Sequence, residues 1–151
     1  MKKLVILVTM LVASNLAIAQ SYYYKAREEK PFTFQLAGTY FNYGGDLFGV
    51  QLGVNYKEVF NISYFNTRNY QFGERFIDDR FSGVQSSIMF PVLEQVQVGP
   101  SVRVATYNEE FQKLFIGAEV RFDMSKAWKF AIEYGKGEKD GFGLKLIWNM
   151  Y

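Results

Sequence analysis

Phe48-Gly49-Val50-Gln51-Leu52-Gly53-Val54-Asn55-Tyr56 alternates a large apolar residue with a small or polar one at every step. A period of two sends successive side chains to opposite faces of an extended chain, so this stretch predicts a β-strand with one apolar and one polar face. The pattern spreads outward in both directions. Upstream, Phe32, Phe34, Leu36, Gly38 and Tyr40 alternate with Thr33, Gln35, Ala37 and Thr39, and Asn42 to Asp46 reads as a turn. Downstream, after the short Lys57-Glu58 break, Phe60, Ile62 and Tyr64 alternate with Asn61, Ser63 and Thr67. The polar interval Asn66 to Arg80 then reads as a loop.

The rest of the chain continues in the same way. A fourth strand covers about Phe81 to Phe90, where Val84, Ile88 and Phe90 share a face with Ser82 and Ser86. Such mixing leaves its register open by one residue. Past a turn expected at Pro91 to Glu94, Val96, Val98, Val102 and Val104 form the apolar face of a fifth strand. Pro100 falls on that face and implies a bulge or a break in pairing, because proline donates nothing to a ladder. Leu114 to Phe122, Trp128 to Tyr134 and Phe142 to Met150 supply three more, for eight strands in all. The connections after the odd strands are the longer ones, at Asn42 to Asp46, Asn66 to Arg80, Thr106 to Glu110 and Lys136 to Asp140. Those after the even strands are Lys57-Glu58, Pro91 to Glu94 and Met124 to Lys126.

The N-terminus reads as a secretory signal peptide over residues 1–19: Met1-Lys2-Lys3 is the positive region, Leu4 to Ala13 the apolar run, and Ala17-Ile18-Ala19 the cleavage site before Gln20. The apolar run is too short to span a bilayer as a helix, which takes about 20 residues. Residues 20–30 then form a periplasmic leader and 31–151 the barrel. Of 17 Lys+Arg, Lys2 and Lys3 leave with the signal peptide, which leaves 15 of each sign. The basic residues are scattered singly, so nothing in the charge suggests nucleic acid. There is no cysteine, hence no disulfide, thiolate nucleophile or thiolate metal site. Aromatics make up 19% of the chain, with 13 glycines against 3 prolines, which suits strands and tight turns.

Alternation does not by itself say which face is inside, since a soluble lipocalin-like calyx alternates too, with its apolar residues inward. A soluble barrel needs a well-charged outer face, roughly a quarter to a third Lys, Arg, Glu and Asp. Here the non-apolar face is mostly Gly, Ala, Ser, Thr, Asn and Gln, which suits a cramped lumen, and the apolar face is uniformly large, which suits lipid. The few charges on the polar face offer partners on neighbouring strands: Arg103 beside Glu119, Arg121 and Lys129 near Glu133, and Lys145 further round. Buried charges must pair or cost several kcal/mol, so these six are expected to form a network across the lumen. Tyr40, Tyr43, Tyr56, Tyr64, Phe90, Tyr107, Phe122, Trp128, Tyr134 and Trp148 lie toward strand ends, where amphipathic rings sit at lipid–water interfaces.

The signal peptide, the eight strands of about ten residues and the aromatic Tyr151 at the end resemble the small outer-membrane barrels of the OmpA transmembrane-domain and OmpX type. The resemblance covers Pro31 to Tyr151 and is one of architecture. It departs from the family pattern at Tyr151, which is out of phase with Trp148 and Met150. It implies an all-β, eight-stranded antiparallel up-and-down transmembrane barrel of the porin-like cell-envelope class, in the outer membrane of a Gram-negative-type bacterium. The implied partners are outer-membrane lipid, lipopolysaccharide and the outer-membrane assembly machinery, and the barrel is expected to be monomeric and bare of further domains.

Catalytic signals are sparse. With no histidine, a Ser-His-Asp arrangement and an imidazole metal site are excluded, so the chain is read as a non-enzyme with no cofactor. Arg68, Arg75 and Arg80 could meet phosphates at the outer leaflet, and Glu74, Asp78, Asp79 and Glu109-Glu110 could hold a divalent cation, although solvated loop charge explains both. The expected role is structural or surface-interacting, with Arg68, Arg75, Asp78, Asp79 and Arg80 in the external loop and a lumen plugged by charge pairs. A narrow pore and a periplasmic calyx for an apolar ligand are the alternatives.

Overall fold

The computed structural model describes residues 31–69, 79–108 and 110–150. The signal peptide, the leader, Arg75, Asp78 and Tyr151 lie outside the described residues. Nine strands follow in order: β1 (Phe32–Asn42), β2 (Asp46–Tyr56), β3 (Phe60–Arg68), β4 (Arg80–Ile88), β5 (Phe90–Leu93), β6 (Val96–Tyr107), β7 (Glu110–Asp123), β8 (Trp128–Lys136) and β9 (Asp140–Met150). All pairings are antiparallel. β4 and β5 run end to end against β6 in one continuous register, from Ser87↔Ser101 to Phe90↔Val98, and are two halves of one stave. Pairing of β1 with β9 closes the sheet as an eight-stranded up-and-down barrel.

Closure removes both edges, which matters because hydrocarbon offers no hydrogen bonds to an unpaired backbone. Full-length staves such as β3, with 9 residues, and β1, with 11, match the roughly 9–11 that a tilted transmembrane strand needs. One phase governs nearly the whole wall, with even-numbered strand residues facing outward and odd-numbered ones inward; the register shift in β5 reverses it at Leu93, which lies opposite Val96 and is exposed. The outward face carries Phe34, Leu52 and Ile116, each more than half exposed, whereas the inward Arg103 and Glu133 are at 0%. The pairings Phe60↔Ile88 and Tyr64↔Val84 fix the fourth strand with Val84 and Ile88 outward beside Ser82 and Ser86. Aromatics crowd both ends of this face. Tyr40 against Phe48 marks the end with the longer connections, and Phe32 against Tyr56 and Trp128 against Trp148 mark the short-turn end.

Several turns are tighter than the sequence suggests. Pairing runs on through residues expected in loops, because strand ends can keep exchanging backbone bonds past the last apolar residue. Arg68 and Arg80, expected in the long loop, are the last directly opposed pair of β3 and β4, and the Asn69 amide donates to the Asp79 carbonyl at 2.9 Å beyond them. Pro91, expected in a turn, lies within β5 opposite Gln97, and the chain reverses at Glu94-Gln95 instead. At the short-turn end the β2–β3 connection is made by Lys57 and Glu58 with φ of 50° and 54°.

Pro100 interrupts the ladder as expected. The Met89 amide donates to the carbonyl of Val59, just before β3, so Ile88, one residue earlier, turns its backbone toward β6, where the register places Pro100. Proline has no N–H to give, and the Ile88 carbonyl leans over Gly99, where an added Cβ would lie 1.7 Å from that oxygen. Gly99 and Pro100 therefore form one seam, in which the glycine makes room for what the proline leaves unpaired. Pro100→Val restores the donor and is expected to raise the temperature at which the folded form loses its distinct gel mobility. Gly99→Val is expected to lower that temperature by more, and equal effects of the two would disprove the seam.

Candidate functional site

The odd-numbered residues fill the lumen in three layers. At the end with the longer connections, Phe41, Tyr43, Leu47, Phe65, Phe81, Ala105 and Phe115 form a buried apolar cluster against which Tyr107 packs. Phe41 stacks on Phe81 at 5.5 Å and meets Phe115 edge-on at 5.2 Å. Tyr43 comes from the β1–β2 turn, folded inward onto Phe81 at 5.1 Å, with its hydroxyl accepting from the Glu138 amide at 3.2 Å. The turn that delivers it has Gly44 at φ 76°, a conformation that L side chains rarely adopt. Tyr43 and Tyr107, expected at the lipid interface, are thus lumen residues: their odd phase puts them inside.

Beneath the aromatic layer lies a belt of fully buried charge. The Arg103 guanidinium sits 4.2 Å from the centre of the Phe41 ring and 4.7 Å from that of Phe65, so it is in contact with both layers. Its charge is met by Glu133 through both Nε and Nη2, a forked contact. Glu119 and Glu133 are directly opposite each other on β7 and β8. Two like charges in that position repel. Lys145 from β9 resolves the conflict by placing its ammonium 2.6 Å from Glu119 and 3.1 Å from Glu133, and it also donates to Gln85 Oε1 at 2.9 Å. Arg121 holds the other side of Glu119 at 2.5 Å and donates to Ser87 Oγ at 3.0 Å.

The third layer, toward the short-turn end, is made of amides and hydroxyls. Gln35 donates to Asn149 at 2.7 Å, and Asn61 donates to Gln35 at 2.5 Å. Lys129 lies here, apart from Glu133, bound to Glu58 at 3.0 Å and to Asp123 at 2.9 Å.

The sequence-based partners are therefore rearranged. Arg103 meets Glu133 in place of Glu119, Arg121 meets Glu119 in place of Glu133, and Lys145 sits between the two carboxylates instead of further round. The cause is reach across a narrow lumen: Arg103 on β6 passes over β7 to a residue on β8. The aromatic layer escaped the sequence reading, although its signal was present. Phe41, Phe65, Phe81 and Phe115 all have inward phase, and all lie near strand ends on one side of the barrel.

Of the loop residues, Asp79 accepts from Asn108 Nδ2 at 2.6 Å, and Arg68 and Arg80 cap their strands. Among the described residues, no three acidic side chains converge in a way that could hold a metal. Ser101 donates to Glu133 at 2.7 Å, and that carboxylate, itself buried, is also bound by Arg103 and Lys145.

Lys145→Met would leave two opposed carboxylates without their shared cation. Breaking a buried ion pair costs about 3–5 kcal/mol. A loss of that order in the unfolding free energy from urea titration is expected, with much of it recovered when Glu119→Gln is added to the same chain. Additive losses in the double variant would show that Lys145 does not mediate between the two acids.

No protein-family model matches the chain, and no curated protein is similar to it. Solved structures are similar in fold. A de novo designed transmembrane β-barrel aligns with a TM-score of 0.63 at 14% identity, over 82% of this chain and 99% of that one. The N-terminal β-barrel domain of Pseudomonas aeruginosa OprF aligns at 0.58 and 15% identity, over 78% and 97%. The Yersinia pestis outer membrane protein Ail, in a phospholipid bilayer nanodisc, aligns at 0.51 and 15% identity, over 78% and 99%. What the chain shares with these three is the closed antiparallel architecture of a small transmembrane β-barrel.

Proposed function

We propose that this chain is a small, non-conducting outer-membrane barrel: a rigid cylinder whose lumen is sealed and whose work is done by the connections it presents outside. The observation that carries the reading is the two-layer seal. An aromatic layer closes the long-loop end, and immediately below it Arg103, Glu133, Lys145, Glu119 and Arg121 are all buried and engaged with one another. Ions crossing such a lumen would have to break desolvated pairs and also displace stacked rings.

Location in the outer membrane is supported by three things together: the apolar even-numbered face with aromatics at both ends, the export-type N-terminus read from residues 1–19, and the fold shared with OprF and Ail. In this arrangement the strand ends at Asn42, Arg68, Tyr107 and Lys136 lie on the outer side, and the start of β1 and the end of β9 lie on the periplasmic side. Outer-membrane lipid and lipopolysaccharide surround the monomer, the envelope's assembly machinery inserts it, and the barrel performs no catalysis. A ligand-carrying calyx fits poorly, since the even-numbered apolar face would then be open to water and the lumen is filled with side chains.

Planar-bilayer recordings of the refolded barrel are expected to show no stable single-channel steps, and Phe81→Ala alone is expected to stay silent because the charge belt beneath it is intact. Steady, reproducible currents from the unmodified protein would reject the sealed-lumen reading in favour of a pore. Cell fractionation checks location separately, and recovery in the soluble periplasm without detergent would overturn it.

A further inference from the structure

Next to the charge belt, a small lumen cavity offers about 10 Å³ to the centre of a water-sized sphere. That is close to the room one water molecule needs. Gln51, Ser63, Gln35, Asn61, Arg121 and Lys145 are among the side chains that line it. Two of these bring buried polar atoms that bond to nothing in the protein, Arg121 Nη1 and Gln51 Oε1. One is a donor and the other an acceptor.

The acceptor's presence there is not accidental, because its orientation is set by the belt. Gln85 Nε2 donates to Glu119 at 2.9 Å and to Glu133 at 3.1 Å, which turns Gln85 Oε1 toward Lys145 and Gln51. Gln51 Nε2 then donates to that oxygen at 3.0 Å and also to Ser63 Oγ. With its amide nitrogen committed, Gln51 can only present Oε1 to the cavity. Lys145 directs its ammonium to Gln85, Glu119 and Glu133, which accounts for its three protons.

We infer that this cavity is a binding site for a single structural water, which accepts from Arg121 Nη1 and donates to Gln51 Oε1, bridging β7 to β2 across the lumen. An anion would suit the arginine but would face the amide oxygen, and only a molecule that both accepts and donates satisfies the pair. Net charge leads to the same choice. The belt carries three cations and two carboxylates, while Lys129 with Glu58 and Asp123 carries one cation and two carboxylates, so these groups balance without a further anion.

The test uses the refolded barrel in micelles and in crystals. In nuclear magnetic resonance spectra, a long-lived water is expected to give cross-peaks to the side-chain protons of Arg121 and Gln51. These should vanish in Gln51→Leu, while heat-modifiable gel mobility shows that the variant is still folded. If Gln51→Leu does not fold, crystals of the unmodified protein decide the matter: electron density for one water between the two side chains supports the site. An anomalous peak at the cavity after a bromide soak would overturn the water in favour of an anion. Absence of both cross-peaks and density would overturn the site altogether.

Discussion

A polypeptide crossing hydrocarbon must pair every backbone N–H and C=O within itself, because the solvent there accepts and donates nothing. The β1–β9 pairing that closes this sheet is how the chain meets that requirement, and most other features follow from it. Once the wall is closed, the pleat divides all strand residues between lipid and lumen. Since the registers preserve parity almost everywhere around the barrel, shifting at Leu93 and Tyr107, one odd-even rule sorts nearly all of the described strand residues. The lumen of an eight-stranded barrel is only wide enough for side chains to fill. Any charge placed there loses its water and must find a protein partner.

This hierarchy explains which parts of the structure were legible in the sequence. The strands and their alternation depend on local periodicity, which the run from Phe48 to Tyr56 shows, and the lipid-facing side is chosen by the small, mostly uncharged composition of the opposite face. The inward phase of Arg103, Glu119, Arg121, Lys129, Glu133 and Lys145 is legible in the same alternation, although Lys129 stands apart from the other five, with Glu58 and Asp123. Their pairing was not legible. Reading along neighbouring strands put Arg103 beside Glu119, whereas the side chain spans β7 to reach Glu133, and a one-dimensional reading carries no information about reach across a cylinder. Turn boundaries failed for a related reason. Polar residues such as Arg68 and Arg80 read as loop, but the backbone ladder does not depend on whether the side chain is polar. The aromatic layer is hard to read from composition, because apolar residues elsewhere face lipid and phase alone distinguishes the inward Phe41, Phe65, Phe81 and Phe115.

The two upper lumen layers depend on each other. The rings of Phe41 and Phe65 lie against the Arg103 guanidinium and exclude water from its pair with Glu133. Desolvation strengthens the attraction within the pair and raises the penalty for leaving either partner alone. The charge in turn gives the rings a cation to stack on, which is favourable when desolvated. Tyr43 completes the arrangement from a turn, so the aromatic layer includes part of the connection above it. Uncommitted buried polar atoms remain at Arg103 Nη1 beneath the rings as well as at Arg121 Nη1 and Gln51 Oε1 beside the cavity.

Buried ion pairs often contribute little net stability compared with a well-packed apolar core, so the charge belt calls for a reason other than strength. Register supplies one. A strand apolar on both faces can slip by one residue with little penalty, because either face suits lipid. Here a one-residue slip of β6, β7, β8 or β9 would turn Arg103, Arg121, Lys129 or Lys145 outward. An Arg or Lys facing lipid at the bilayer midplane costs roughly 2–4 kcal/mol, and its abandoned carboxylate partner adds to that. β2 and β3 have no such charges on their inward faces, which are built from Gln51, Asn55, Asn61 and Ser63. Their registers are instead tied to the belt through Gln85, which links Gln51 to Glu119 and Glu133. The belt thus specifies alignment directly on four strands and, through amide orientation, on their neighbours, which makes the one-phase wall the least costly arrangement of this sequence in lipid.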